Sequence, residues 1–180
     1  PPCGSRTRNN NRHVEFFRFR RHQWRGDLPA LCLIKKGESV NVAIGCDHGG
    51  FHLKKAIISL LEKLGHTAVD VGCFSEESVN YPVFADHVCA VLANGRCQRG
   101  ILICGTGIGM SIAANRHRHI RAALCHESLS ARMSREHNDA NVLCLGARLV
   151  GISLAREIVR VWLASGFAGG RHLRRIEMMR

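Results

Sequence analysis

At 180 residues and 46 % hydrophobic, the chain is long enough to build one folded domain with a real core. A formal net charge of +12 points to anionic partners, and no apolar run approaches the roughly 20 residues that cross a bilayer, so a soluble protein without membrane contact is expected. Nine cysteines, an odd count with no CxxC pair and several members in apolar runs, argue against a disulfide scaffold or a zinc ribbon and for reduced thiols in a cytoplasmic setting.

Residues 1–38 stand apart. Residues 1–40 hold nine Lys/Arg against three Asp/Glu, a net of +6, and residues 41–180 hold seventeen against eleven, the other +6. Pro1-Pro2, Asn9-Asn10-Asn11 and Arg18-Phe19-Arg20-Arg21-His22 follow neither a helical nor a strand period. Three readings are open. The composition favours a disordered or appended extension. A targeting segment would be Arg-rich and acid-poor, but an amphipathic helix is missing and acids are present. A nucleic-acid-binding arm would use Phe16, Phe17, Phe19 and Trp24 among the arginines, and is the weaker alternative. The domain proper is expected over 39–180.

From Val40 the pattern becomes regular. Val40–Gly45 reads as a strand, and Phe51–Leu64 as a helix with Leu53, Ala56, Ile57, Leu60, Leu61 and Leu64 on one face, stopped by Gly65. Thr67–Val71 is a second strand, and Pro82–Leu92 a second helix closed by Asn94-Gly95. Three more strand–helix pairs follow: Gly100–Ile103 with Gly107–Asn115, Arg121–Cys125 with Glu127–His137, and Asn141–Leu145 with Gly151–Ala164. Five short Val/Ile/Leu/Ala/Cys-rich strands alternating with helices predict an α/β fold with a five-stranded parallel sheet covered on both faces. In such sheets ligands bind at the carboxyl ends of the strands. The segments leaving those ends carry the chemistry-bearing residues: Cys46-Asp47-His48-Gly49-Gly50, Cys104 to Gly109, His126-Glu127 and Gly146-Ala147-Arg148.

The most informative of these is Gly100-Ile-Leu-Ile-Cys-Gly-Thr-Gly-Ile-Gly-Met-Ser111. It is not a dinucleotide fingerprint, because Met110 stands where the third glycine would be, and no GK[ST] follows for a P-loop. It reads as a tight turn from strand to helix whose amides face a small anion or a developing oxyanion, unless the glycines merely permit close packing. Cys104 sits at its mouth, an environment that suits a thiolate; the plain alternative is a small buried hydrophobe, favoured for Cys46, Cys125 and Cys144. Asp47 has a capping role open to it, whereas His48 lacks a structural reason. His137 is either a cation at a helix C-terminus or an acid/base group. Arg116-His-Arg-His119 reads as a solvated loop without a role. Arg171 and Arg175, four apart, share a face if helical and form either a phosphate clamp or a solvated basic surface.

Taken together, Ile44-Gly-Cys-Asp-His-Gly-Gly-Phe51, Tyr81-Pro82, Gly100 to Asn115, Ser134-Arg-Glu-His-Asn-Asp139, Gly146-Ala-Arg148 and Gly169-Gly-Arg-His-Leu-Arg-Arg175 resemble the B-type ribose-5-phosphate isomerase family, which includes galactose 6-phosphate and allose 6-phosphate isomerases. The resemblance runs from about Val42 to Ile176. It implies a Rossmann-like three-layer α/β/α sandwich, a homodimer with sites shared between subunits, and no metal or nucleotide cofactor. It implies aldose–ketose isomerisation in the pentose phosphate pathway: Cys104 as the base acting between C2 and C1, the amides of Gly105, Gly107 and Gly109 stabilising an enediolate, and His137 with Thr106 opening the furanose ring. Asp47, Tyr81 and Asn138 would hold sugar hydroxyls, and His48, Arg148, Arg171 and Arg175 the phosphate. A second version of the family uses a glutamate in the following helix as base; Met110 at that place makes this chain the cysteine type.

The chemistry fits those roles, since aldose–ketose interconversion needs one base near C1 and C2, donors where charge develops and a ring-opening acid. Three rivals remain: an isomerase of a six-carbon sugar phosphate, a non-catalytic sugar-phosphate-binding domain, and a nucleic-acid binder led by the basic arm. A sensor has no use for a base, which weighs against the second.

Overall fold

The computed structural model describes residues 39–179. The expectations for residues 1–38 lie outside the described residues. Five strands, β1 (Asn41–Cys46), β2 (Thr67–Asp70), β3 (Arg99–Cys104), β4 (Ala122–Leu124) and β5 (Val142–Gly146), alternate with helices α1 (Phe51–Lys63), α2 (Tyr81–Ala93), α3 (Ile108–Ala114), α4 (Ser128–Asn138) and α5 (Ile152–Ala164), and a short α6 (Arg171–Glu177) closes the series. All strand pairs are parallel, in the order β2-β1-β3-β5-β4. The fold is the expected α/β sandwich.

Successive side chains of a strand point to opposite faces, and the core divides accordingly. Val42, Ile44, Ile101, Ile103, Leu143 and Leu145 pack with α1, α4 and α5, whose buried residues include Ile57, Leu61, Ala131, Ile158 and Trp162. Ala43, Leu102, Cys104, Val142 and Cys144 pack with Val88, Cys89, Met110 and Ala114 of α2 and α3. The sulfur of Cys104 is therefore on the α2/α3 side. A helical stripe explains α5: Ala155, Ile158, Val159 and Trp162 are fully buried at spacings of three and four.

Boundaries differ from expectation where caps decide them. α3 starts at Ile108, because Gly107 adopts the left-handed conformation with φ 78° and cannot begin a helix. α2 starts at Tyr81, one residue before Pro82. Gly65 and Gly95 follow the ends of α1 and α2 with φ 79° and 75°, as the stop signals suggested.

Two polar features lay beyond the periodicity. Lys54, 1 % exposed within the apolar face of α1, donates from Nζ to both carboxylate oxygens of Asp70 at 2.9 and 2.7 Å and to the Cys73 carbonyl at 2.7 Å. It ties α1 to the end of β2. The segment 116–119, read as a solvated loop without a role, is instead anchored to α2. His117 Nε2 lies 2.8 Å from Asp86 Oδ1, and His119 Nε2 lies 2.9 Å from the Cys89 carbonyl oxygen, which only an N–H can satisfy.

Candidate active site

β3 is central, and its last residue, Cys104, is buried where strand passes into turn. The turn folds back so that the Gly107 N–H donates to Cys104 Sγ at 3.1 Å. A Cβ on Gly107 would lie 2.5 Å from Leu124 Cδ1 and 2.9 Å from the Leu145 carbonyl carbon, so both its conformation and its neighbours require glycine. Thr106 is exposed, and its Oγ1 accepts the Ile108 N–H at 3.4 Å.

Neighbouring strand ends close on this turn. The Asp47 N–H donates to the Ile103 carbonyl at 3.2 Å, and Asp47 Oδ1 accepts the Gly50 N–H at 3.1 Å, capping a single 3-10 turn over His48–Gly50. A Cβ built on Gly49 would meet Asp47 Oδ1 at 3.3 Å and the Gly105 nitrogen at 3.4 Å, so Asp47 lies against the turn. From β5, Ala147 N–H and Arg148 N–H donate to the carbonyls of Cys104 and Gly105 at 2.8 and 3.0 Å. The Arg148 side chain crosses Gly105, with Nε 3.4 Å from where its Cβ would be. The Tyr81 ring covers Gly109, whose Cβ would lie 2.6 Å from Tyr81 Cζ. Cys104, Gly105, Thr106, Gly107, Gly109, Asp47, Tyr81 and Arg148 thus form one group. His48 joins it with a structural reason the sequence did not show: its Nδ1 accepts the Val79 N–H at 3.3 Å, which assigns the proton of the neutral ring to Nε2.

Other thiols are in settings hostile to ionisation. Burial pushes Cys46 and Cys89 up to about 12, and it pushes Cys144 well above its ordinary range, with Cys104, Cys125 and Cys89 adding to the rise. Such thiols stay protonated and inert. An apolar groove of about 620 Å³ between the end of β2 and α2, lined by Cys73, Phe74, Phe84 and Val91 among others, includes none of the predicted residues.

The remaining predicted residues form a second group. α4 leaves the carboxyl end of β4 and returns to the amino end of β5, so its last residues lie across the sheet from Cys104. Eleven residues of helix span ~16 Å. His137 and Asn138 occupy that far end, and α6, carrying exposed Arg171 and Arg175 one turn apart, packs beside it. The pairing of Thr106 with His137 is therefore not made within one chain, because strand and helix run antiparallel. The end of α4 is locked by Asp139, a non-glycine residue with φ 44°, whose carboxylate accepts from Arg135 and from Arg121, each at 2.7 Å. One residue here escaped the sequence reading. His172 stacks flat on His137, ring centroids 4.2 Å apart and planes 6° from parallel. Its place directly after Arg171 was the only available signal.

A doubly wound parallel sheet with a thiol, a glycine turn and a guanidinium gathered at the carboxyl ends of its strands has the architecture of an α/β enzyme. Residues 42–179 match the family model described as ribose/galactose isomerase. Over 136 residues the chain is 49 % identical to ribose-5-phosphate isomerase B of Escherichia coli (strain K12), covering 76 % of this chain and 91 % of that one. It is 42 % identical over 139 residues to D-erythrulose-4-phosphate isomerase of Pectobacterium atrosepticum, covering 77 % and 91 %. Among solved structures, ribose-5-phosphate isomerase B of Clostridium thermocellum superposes with a TM-score of 0.76 at 52 % identity, covering 77 % of this chain and 94 % of that one. The Thermotoga maritima enzyme gives 0.77 at 48 %, covering 79 % and 98 %. The chain belongs to the ribose/galactose isomerase family, and it is an aldose–ketose isomerase. Among the described residues no helix is long and apolar enough to cross a membrane.

Proposed function

We propose that the protein interconverts ribose 5-phosphate and ribulose 5-phosphate, a step of the pentose phosphate pathway in the cytoplasm, with Cys104 as the base. Cys104, as thiolate, takes the C2 proton of the open-chain aldose. The C–H electron pair forms the C1–C2 double bond, and the carbonyl pair moves onto O1. Amides of the turn 105–109 hold that oxygen as its charge develops, and the Gly107 N–H supplies a donor to the sulfur. Cys104 returns the proton to C1, and the proton that O2 gives up in becoming the ketone passes to O1, so that the ketose differs from the aldose only in where its hydrogens sit. Asp47 and Tyr81 bind sugar hydroxyls, and His48 and Arg148 bind phosphate from the same side.

The remaining groups come from a second copy. His137 opens the furanose, Asn138 holds a hydroxyl, and Arg171 and Arg175 complete the phosphate clamp, each reaching the turn of the other subunit in a homodimer. The separation of the two groups across one chain's sheet supports this arrangement, which needs no metal or cofactor in any step. The observation that carries the whole reading is Cys104 Sγ receiving an amide at a strand end that also gathers Asp47, Tyr81 and Arg148.

Ribose 5-phosphate is favoured over four- and six-carbon sugar phosphates because the E. coli relative and the solved structures above carry its name. The test is conversion of ribose 5-phosphate by the full chain, with erythrulose 4-phosphate and allose 6-phosphate alongside. Cys104→Ala is expected to abolish turnover, by about 10³-fold or more, while its thermal melt stays cooperative. Near-normal turnover by that variant, or faster turnover of another sugar phosphate, overturns the assignment.

A further inference from the structure

His172 is 9 % exposed, between two exposed arginines of its own helix. Two hydrogen bonds and a glycine turn put it there. The Ala168 N–H donates to the Glu136 carbonyl at 2.9 Å, docking the preceding loop on the last turn of α4. Gly169 and Gly170 turn the chain with φ 65° and 54°. The His172 N–H then donates to the Gly169 carbonyl at 3.1 Å. The outcome is a ring lying flat on His137 at 4.2 Å. No hydrogen bond to either imidazole occurs among the described residues, so the stack is what holds the half-buried His137 ring.

We propose that His172 is a positioning residue for ring opening, a flat neutral platform that fixes the plane of the His137 imidazole and lets that ring carry a proton without a second cation against it. The proposal rests on the reading of His137 as the ring-opening group. Geometry supplies the first half: a face-to-face contact removes the freedom of the His137 ring to swing about its χ angles, and misplacement by ~1 Å can cost ~10²-fold in rate. Charge supplies the second. Burial holds the His172 ring below its ordinary range, with His137, Arg171 and Arg175 adding to the lowering, which favours its neutral form. A proton on His137 then meets a π face and not a like charge. The other charged residues on the two helices at this end are Arg174 on α6 and Glu136 and Arg135 on α4, with Arg135 paired to Asp139, and the loop 165–170 carries no ionisable side chain.

The experiment compares His172→Phe, which keeps a flat ring that cannot titrate, with His172→Ala, which removes it. In the full chain, His172→Ala is expected to lower kcat on ribose 5-phosphate by about 10-fold or more, with KM shifted less than about threefold. His172→Phe is expected to restore kcat to within about threefold and to move the acidic limb of the kcat profile to lower pH, because the platform no longer gains a charge there. Proton NMR of the His137 ring gives a readout that needs neither turnover nor a stable alanine variant: its ring-current shift is retained in His172→Phe and lost in His172→Ala. Equal loss of kcat in both variants, unchanged kcat in His172→Ala, or a His137 resonance indifferent to His172 overturns the proposal. Normal turnover by the His137→Ala variant overturns the ring-opening reading, and the positioning role with it. Loss of turnover in His137→Ala with full turnover in His172→Ala leaves that reading standing and removes only the platform.

Discussion

Gly109 shows how a single residue separates stability from function. It lies in the first turn of α3, and alanine there raises helix propensity by about 1 kcal/mol. Its Cβ would, however, sit 2.6 Å from Tyr81 Cζ, and Tyr81, 40 % exposed, has room to swing away. Gly109→Ala is therefore expected to leave the melting temperature unchanged or higher, while KM for the sugar phosphate rises about fivefold, the worth of one hydrogen bond of about 1 kcal/mol. A steady-state assay beside a thermal melt checks both arms, and a lowered melting temperature with unchanged KM contradicts the argument. The contrast with Gly107 is instructive. There the positive φ and the Leu145 backbone leave no room to yield, so alanine should cost stability outright.

At the scale of elements, α4 depends on its first cap. Glu127 precedes the helix, and its two carboxylate oxygens accept the Leu129 and Ser130 N–H groups at 2.5 and 2.6 Å. Hydrogen bonds from the Ser130 side chain and amide hold its carboxyl below the ordinary 4.5. A carboxyl lowered on folding stabilises above its unfolded pKa, and that contribution is lost as pH falls through the lowered value. Glu127→Gln should thus lower the melting temperature at pH 7, and the gap to wild type should narrow as pH falls below the ordinary carboxylate value and close as it passes through the lowered one; a gap that persists in stronger acid would point to packing. Elements of this kind were legible because periodicity and local stop signals agree in them. Glu127 was read as the first helical residue and proved to be the cap, a one-residue shift that carboxylate–amide bonding explains. The stack of His172 on His137 was not legible, because it depends on how the 165–170 loop docks against a helix about 30 residues earlier. Lys54 was equally hidden: helical spacing puts a charge on the apolar face, and only the approach of Asp70 and the Cys73 carbonyl satisfies it.

The whole molecule poses a question that neither residues nor elements answer alone, namely where a complete site can be assembled. Cys104 is at the carboxyl edge of the sheet and His137 at the end of a helix that has run back towards the amino edge. The strand–helix alternation already implied this separation, and no rearrangement of side chains in one chain removes it. If sites are shared across a two-fold axis, each uses Cys104 from one subunit and His137 from the other. Cys104→Ala and His137→Ala are then each inactive as homodimers. In a mixed dimer one site carries both substitutions and the other carries neither. Random reassociation makes half of the dimers mixed, each with one of two sites intact, so an equimolar mixture should recover about one quarter of wild-type activity. Sites confined to single chains predict no recovery, since every chain in the mixture is broken. Denaturing and refolding the two inactive variants together, then assaying ribose 5-phosphate conversion against each refolded alone, distinguishes the two arrangements.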